Sequence, residues 1–326
     1  QLMAPTKSSE NEAENGPNRS LLRTNRPHIL LILLESFSAN AIEAFGGEPG
    51  ISPNLNRLSQ EGICFTNLYA NSFRTDRGLV AILSGFPAQP TMSLMKYPKK
   101  TANLPSIARH LKEAGYGTKY YYGGDADFTN MRSYLVSQGI NDIVSDMSFP
   151  VKDRMSKWGV PDDKLFERLK ADLKDARAGV PMLRIIQTSS SHEPFDVPYN
   201  RLADERLNAF AFADSCIGNF VSALKASPQW KSSLVILLPD HQGCWPIGIS
   251  NEDLGHYHIP MIWTGGALAK GGEVDIIGSQ QDLAATLLGQ LNINHDDMLF
   301  SKDMLNPAVP HFAFFTVNDL FGMITE

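Results

Sequence analysis

HILLILLESFS, residues 28–38, runs through six consecutive aliphatic side chains after His28 and then breaks into an acid and two hydroxyls. A run this short has the length of one strand. Its lack of alternation is what a strand covered on both faces requires, as in the middle of a parallel sheet. SLVILLPDHQG (233–243) repeats the design, with an apolar run that ends in Asp240 and His241. Outward from these two, shorter strand patterns occupy CFTNLYA (64–70), TKYYY (118–122), MLRIIQT (182–188) and PMIWTG (260–265). Helical patterns occupy SPNLNRLSQEG (52–62), DRGLVAILSG (76–85), LPSIARHLKEAG (104–115), DDKLFERLKADLKDA (162–176), 204–226 and SQQDLAATLLGQL (279–291). In the first of these, Ser52 stands at the cap, Pro53 in the first turn and Gly62 at the exit. Alternating strands and helices predict an α/β three-layer sandwich with a largely parallel central sheet. Ligands of such sheets bind beyond the carboxyl ends of the strands.

Composition narrows the function. The chain has 326 residues, 43% of them hydrophobic and 20% charged, as expected of a globular domain with a substantial core. A formal net charge of -6 speaks against nucleic acid as a partner. Cys64, Cys216 and Cys244 fit no zinc spacing and read as buried or incidental thiols. No stretch is long and apolar enough to span a bilayer. Residues 1–26, rich in Ser, Asn, Glu, Pro and Lys, read as a linker or flexible tail, and residues 27–326 as one catalytic domain. A start at Gln1 rather than Met fits a processed product or an excised piece, so a membrane-anchored parent is compatible with this sequence.

An acid at the end of an apolar strand is costly unless it is paired or holds a metal. Glu35, Asp240 and His241 together make a divalent site plausible, although either acid alone equally suits a helix cap. SFRTDRG (72–78) adds a hydroxyl, Thr75, before a predicted helix and between Arg74 and Arg77. Free N–H groups at a helix start, flanked by arginines, attract phosphate-like anions. Threonine is a poor nucleophile without a base or a metal, so Thr75 reads either as an N-cap or as an activated nucleophile.

Taken together and in order, ILLILLESFS, SPNLNRLSQEG, SFRTDRG, YGGDADFTNMRSY (122–134), SSSHEPF (189–195) and LPDHQG (238–243) resemble the alkaline phosphatase and sulfatase superfamily from Pro27 onward, most closely its lipoteichoic acid synthase-like branch of phosphoglycerol transferases. The resemblance implies one divalent metal, Mn2+ before Mg2+ or Zn2+, on Glu35, Thr75, Asp240 and His241. It implies Thr75 as the nucleophile and His192 beside the substrate phosphate, a candidate to protonate the leaving group. Substrate contacts would come from Arg74, Arg77, Arg132, Asp125 and His258, with His256 a weaker candidate. Trp158, Trp230, Trp245 and Trp263 read as packing residues, Trp245 being the one to test.

Three departures bear on the substrate. Phe128-Thr129-Asn130-Met131-Arg132 lacks the tryptophan of the family's Phe-Trp-Asn-Arg stretch and sets its arginine one place late. Tyr122 replaces a histidine. Thr75 in R-T-D-R is not the C-x-P-x-R pattern that type I sulfatases need. The implied partner is an anionic phospholipid or phosphorylated glycan, met on the outer face of the bacterial cytoplasmic membrane. The implied fold carries a small flanking sheet within about 271–326. Rival readings are a phosphodiesterase, phosphatase or sulfatase-type hydrolase of the same superfamily, or an inactive glycan- or lipid-binding domain.

Overall fold

The computed structural model describes residues 20–155, 158–175 and 179–325. Eleven strands are seen among them. They are β1 His28–Leu34, β2 Ile63–Tyr69, β3 Gly117–Tyr122, β4 Ile143–Val144, β5 Met182–Gln187, β6 Ser233–Pro239, β7 His258–Thr264, β8 Gly272–Val274, β9 Gly278–Ser279, β10 Phe312–Val317 and β11 Leu320–Thr325. Nine form a sheet in the order β4-β3-β5-β1-β6-β7-β2-β8, with β9 also on β2. β7 is the only one of these nine that runs against the rest. β10 and β11 form a separate antiparallel hairpin.

Helices α1 Pro53–Glu61, α2 Thr75–Ser84, α3 Pro98–Thr101, α4 Ile107–Glu113, α5 Met131–Ser137, α6 Asp162–Lys174, α7 Glu205–Lys225 and α8 Leu283–Gln290 connect the strands. The period of two along each strand divides the core in two. Ile29, Leu31 and Leu33 of β1 and Leu234, Ile236 and Leu238 of β6 face one layer, with residues of α2, α4, α5 and α8. Leu30, Ile32 and Leu34 face the other, with residues of α1, α6 and α7. This is the expected three-layer sandwich. Residues 29–34 are all at most 1% exposed. Their burial contributes roughly 10–20 kcal/mol before chain entropy is charged against it. Contrary to the expectation from the sequence that no stretch could span a bilayer, α7 is long and apolar enough to do so, yet 78% of its most apolar window is buried inside this fold. It is a core helix, apolar on most sides because it packs on most sides.

Two boundaries differ from the sequence reading. Within the stretch read as a tail, Leu21 and Leu22 are buried. Leu22 bridges Leu268, and the Leu21 N–H donates to Gln290 Oε1 at 2.7 Å. Residues 1–19 lie outside the described residues. Within 271–326, β8, β9 and α8 belong to the main body, so the flanking sheet is the β10–β11 hairpin alone. The hairpin is fastened by the Thr316 N–H on the Asn71 carbonyl at 2.8 Å and the Phe314 N–H on Ser279 Oγ at 2.6 Å.

Candidate active site

β1 and β6 are adjacent and parallel, in register from His28↔Ser233 to Leu34↔Pro239. The next residues, Glu35 and Asp240, therefore leave the sheet side by side. The turn after β1 is tied to the second acid, since the Ser36 N–H donates to Asp240 Oδ1 at 2.9 Å. The Ser36 hydroxyl donates to Glu35 Oε1 at 2.8 Å. Ser36 has a φ of 54°, a left-handed conformation that costs a non-glycine residue roughly 1–3 kcal/mol and is held by these bonds. The Asp240 carbonyl is pinned in turn: the buried Gln280 amide donates to the carbonyls of both Pro239 and Asp240 at 2.7 Å.

Thr75 is the first residue of α2, with Arg74 at the cap. Its Oγ1 lies 3.4 Å and 3.5 Å from the two Glu35 oxygens and 3.3 Å from His241 Nε2. His241 Nε2 is 3.5 Å from Glu35 Oε1 and 3.7 Å from Asp240 Oδ2. Residues separated by up to 206 positions in the chain thus converge within a few ångströms. Ligand atoms of Glu35, Asp240 and His241 lie within 4.8 Å of one another, and all three residues are buried.

Two features test whether these residues fit a cation. Asp240 Oδ2 is fully buried without a hydrogen-bond partner among the described residues, a costly state for a carboxylate oxygen unless something positive meets it. His241 Nδ1 sits 2.8 Å from the Gln242 carbonyl. Donation there fixes the tautomer that leaves Nε2 as the acceptor facing the carboxylates, as metal-binding histidines are oriented. The set fits a divalent ion. Burial pushes Glu35 upward, but the hydrogen bond and charge of His241, the charge of His192 and the Ser36 hydroxyl prevail and hold it below the usual carboxylate range. Burial and the Glu35 charge raise Asp240. Burial disfavours the His241 imidazolium, yet Asp240 and Glu35 overcome this and raise it.

A cleft of about 680 Å3 opens over this cluster. Glu35, Thr75 and His241 lie in its floor, and Arg74, Arg77, His192 and Tyr122 in its walls. Arg74 is exposed. Arg77 is buried, with a bond to Ser72 Oγ at 3.2 Å and its Nε free of partners. The His192 ring lies 4.4 Å from the Trp158 ring and its Nδ1 2.8 Å from the Glu193 carbonyl. Tyr122, where the family pattern has a histidine, is a buried phenol held neutral by burial and by the charges of Glu35 and Asp240.

The remaining expected contacts lie off the cleft lining. Arg132 pairs with Asp127 at 2.8 Å, and Asp125 caps its own turn by accepting the Asp127 N–H. His258 Nε2 is 2.7 Å from the Thr66 carbonyl, which ties it to β2. His256, the weaker sequence candidate, lines a smaller cavity of about 300 Å3 beside His241 and has no partner on either ring nitrogen. Trp158, read as packing, lines the main cleft, whereas Trp245 packs against the α7 layer, with Arg206 5.9 Å from its ring. Ser36 and Gln280 carried no signal in the sequence, because folding alone brings Asp240 Oδ1 to the Ser36 N–H and the Pro239 and Asp240 carbonyls to the Gln280 amide.

A parallel sheet with two acids and a histidine at adjacent strand ends, opposite a helix-start hydroxyl, defines an enzyme of the alkaline phosphatase superfamily. The Sulfatase family model matches residues 27–293, and the chain belongs to that family. Phosphoglycerol transferase I of Xanthomonas campestris pv. campestris is 26% identical over 294 residues, covering 80% of this chain and 40% of that protein. The chain thus spans about 40% of the length of the curated relatives it first matches. Among solved structures, a protein in the alkaline phosphatase superfamily from Vibrio parahaemolyticus superposes with a TM-score of 0.84 at 28% identity, covering 96% of this chain and 81% of that one. The lipoteichoic acid synthase LtaP from Listeria monocytogenes superposes at 0.79 and 20% identity, covering 93% and 79%, a likeness of fold.

Proposed function

We propose that this domain moves a phosphate-linked head group, of the phosphoglycerol type, from an anionic phospholipid or phosphorylated glycan through a covalent phospho-threonine at Thr75. The observation that carries the reading is the position of Thr75 Oγ1, within 3.5 Å of both Glu35 and His241 on the floor of the cleft. Glu35, Asp240, His241 and Thr75 would hold one divalent cation; carboxylates with a single imidazole suit Mn2+ best, with Mg2+ or Zn2+ as alternatives. When bound, it supplies Lewis acidity that eases ionisation of the Thr75 hydroxyl and offsets phosphate charge.

The protein's own groups do the rest. The Thr75 hydroxyl loses its proton to solvent, and Oγ1 attacks the phosphorus. The bond to the first alcohol breaks, and protonated His192 gives that oxygen its proton. The open N–H groups of α2 and the guanidinium of Arg74 face the extra negative charge. In the second half, an acceptor hydroxyl attacks the same phosphorus, the bond to Thr75 Oγ1 breaks, that oxygen regains a proton from solvent, and His192 takes up the acceptor's proton. A sugar or glycerol acceptor makes the protein a transferase, and water makes it a hydrolase. The relatives' name, phosphoglycerol transferase I, supports the first. On this reading the domain faces the outer side of the cytoplasmic membrane, carried by an anchored parent.

The test is metal-dependent release of diacylglycerol from phosphatidylglycerol, with mass spectrometry for phosphate on Thr75. Thr75→Ala should abolish both signals. Turnover at wild-type rate in that variant would remove Thr75 as nucleophile.

A further inference from the structure

The cleft has an unusual rim. On the 123–160 segment, which follows β3 and includes β4, three apolar side chains stand in water: Phe128 at 53% exposure, Met147 at 77% and Val151 at 76%. They belong to the cleft's side of the molecule, because β3 and β4 run parallel to β1 through the sheet and end where it ends. The loop bearing Met147 is fastened there by the Asp146 N–H on the Gly124 carbonyl at 3.0 Å. Phe128 joins rim to site: its ring is 5.6 Å from Trp158, which lies 4.4 Å from His192.

Unpaired lysines border these tips in a chain of net charge -6. Exposed Lys96, Lys99, Lys100 and Lys152 make no ion pair among the described residues, and Lys96 lines the cleft. Of the acids nearby, Asp127 and Asp146 are neutralised by Arg132 and Arg154, while Asp125, Asp153, Glu193 and Asp196 make no ion pair among the described residues. Separate apolar tips interleaved with lysines do not make the continuous dry patch of a protein interface. They match a layer of anionic head groups above acyl chains, where apolar side chains dip in and lysines meet phosphate.

We propose that this rim docks on the surface of an anionic lipid bilayer and presents the cleft to head groups. The inference rests on the lipid-substrate reading above and adds the surface by which the domain reaches that substrate. A lipid head group then enters the cleft while its acyl chains stay in the bilayer, and the aromatic path from Phe128 to His192 lines the way.

The experiment is sedimentation of the purified chain with vesicles of phosphatidylcholine alone or mixed with phosphatidylglycerol. Wild type and Thr75→Ala should bind the anionic vesicles equally and the neutral ones at least tenfold less. Each basic residue at such a surface is worth about fivefold in partitioning, so Lys99→Glu with Lys152→Glu should lose more than tenfold. Met147→Ser with Val151→Ser should lose about tenfold through apolar contact alone. Both double variants should turn over a short-chain, monomeric phosphatidylglycerol at the wild-type rate and lose turnover only on vesicles. Equal binding to neutral vesicles overturns the proposal, as does wild-type binding by the variants, or a rim that drives self-association instead. Binding that follows this pattern while no protein releases diacylglycerol would discard the enzymatic reading and keep the docking surface.

Discussion

Gly78, three residues into α2, lies against the backbone of Asp240: a Cβ built on it would sit 2.1 Å from the Asp240 carbonyl oxygen. The helix that carries Thr75 therefore touches the strand end that carries two of the proposed ligands, with no room for a methyl group. Gly78→Ala must push α2 outward, and Thr75 rides on its first turn. We expect a stability loss of about 1–3 kcal/mol from overpacking. Turnover should fall about 100-fold, since a displacement near 1 Å at the reacting atom costs that much. Denaturant titration and the diacylglycerol assay read the two effects separately, and unchanged turnover would show that this contact does not set the nucleophile's place.

Asp240 and Glu35 are two buried acids side by side, an arrangement that favours binding over folding. Asp240→Asn keeps the Oδ1 acceptor for the Ser36 and His241 N–H groups and removes the charge next to Glu35. In chelator-treated protein this substitution should raise the melting temperature by roughly 2–4 °C, about 1 kcal/mol. Wild type should gain about 2.7 kcal/mol from a divalent ion at a hundred times its Kd, and the variant should gain far less. Thermal melts across a Mn2+ titration check both signs. A variant that melts lower without metal would mean that the acid pair is not a source of strain.

The clustering of Glu35, Asp240 and His241 was legible in the sequence because strand ends write it there. The wholly apolar runs of β1 and β6 each give way to an acid, so Glu35 and Asp240 mark both the sheet's strand ends and the candidate site. Thr75 was legible because Asp76 and Gly78 open a helical pattern behind it. The substrate walls were not legible in this way. Arg132 and Asp125 sit in the right stretch of chain, yet Asp127 claims the first and a local turn the second. Trp158 and Gln280 owe their positions to contacts 34 and 40 residues away with His192 and Asp240, which no local pattern encodes. The edges β8 and β9 are three and two residues long, too short for any period to show.

Asp162 opens α6 and holds the loop that leads to His192. Its carboxylate accepts the N–H of Ser189 at 2.8 Å and of Ser190 at 3.4 Å. Burial nonetheless raises it to about 6, against the N–H bonds that favour the anion. The folded protein thus keeps a proton that the unfolded chain, at an ordinary value near 3.8, has already lost. Stability should therefore fall as pH rises from about 4 to about 6 and level off above, by up to about 3 kcal/mol from this group. Asp162→Asn should flatten that part of the profile. Urea midpoints at pH 4.5, 5, 6 and 7 measure it, and parallel profiles for the two proteins would contradict the assignment.

In the mechanism proposed above, proton delivery to the leaving alcohol falls to His192, whose ring rests on Trp158. The two rings lie 4.4 Å apart, and the Trp158 Nε1–H and His192 Nδ1 both meet the Glu193 carbonyl. Trp158→Ala removes the ring that fixes the imidazole and leaves Glu35, Asp240, His241 and Thr75 untouched. Metal-induced stabilisation should therefore equal that of wild type, while kcat on an alkyl phosphodiester falls about tenfold. The loss should shrink for a substrate whose leaving group is an acidic phenol, because a phenolate departs without a proton. His192→Gln should show the same dependence on leaving group more strongly. Equal losses on both substrates would instead mean that the tryptophan shapes the cleft for binding and that His192 protonates nothing.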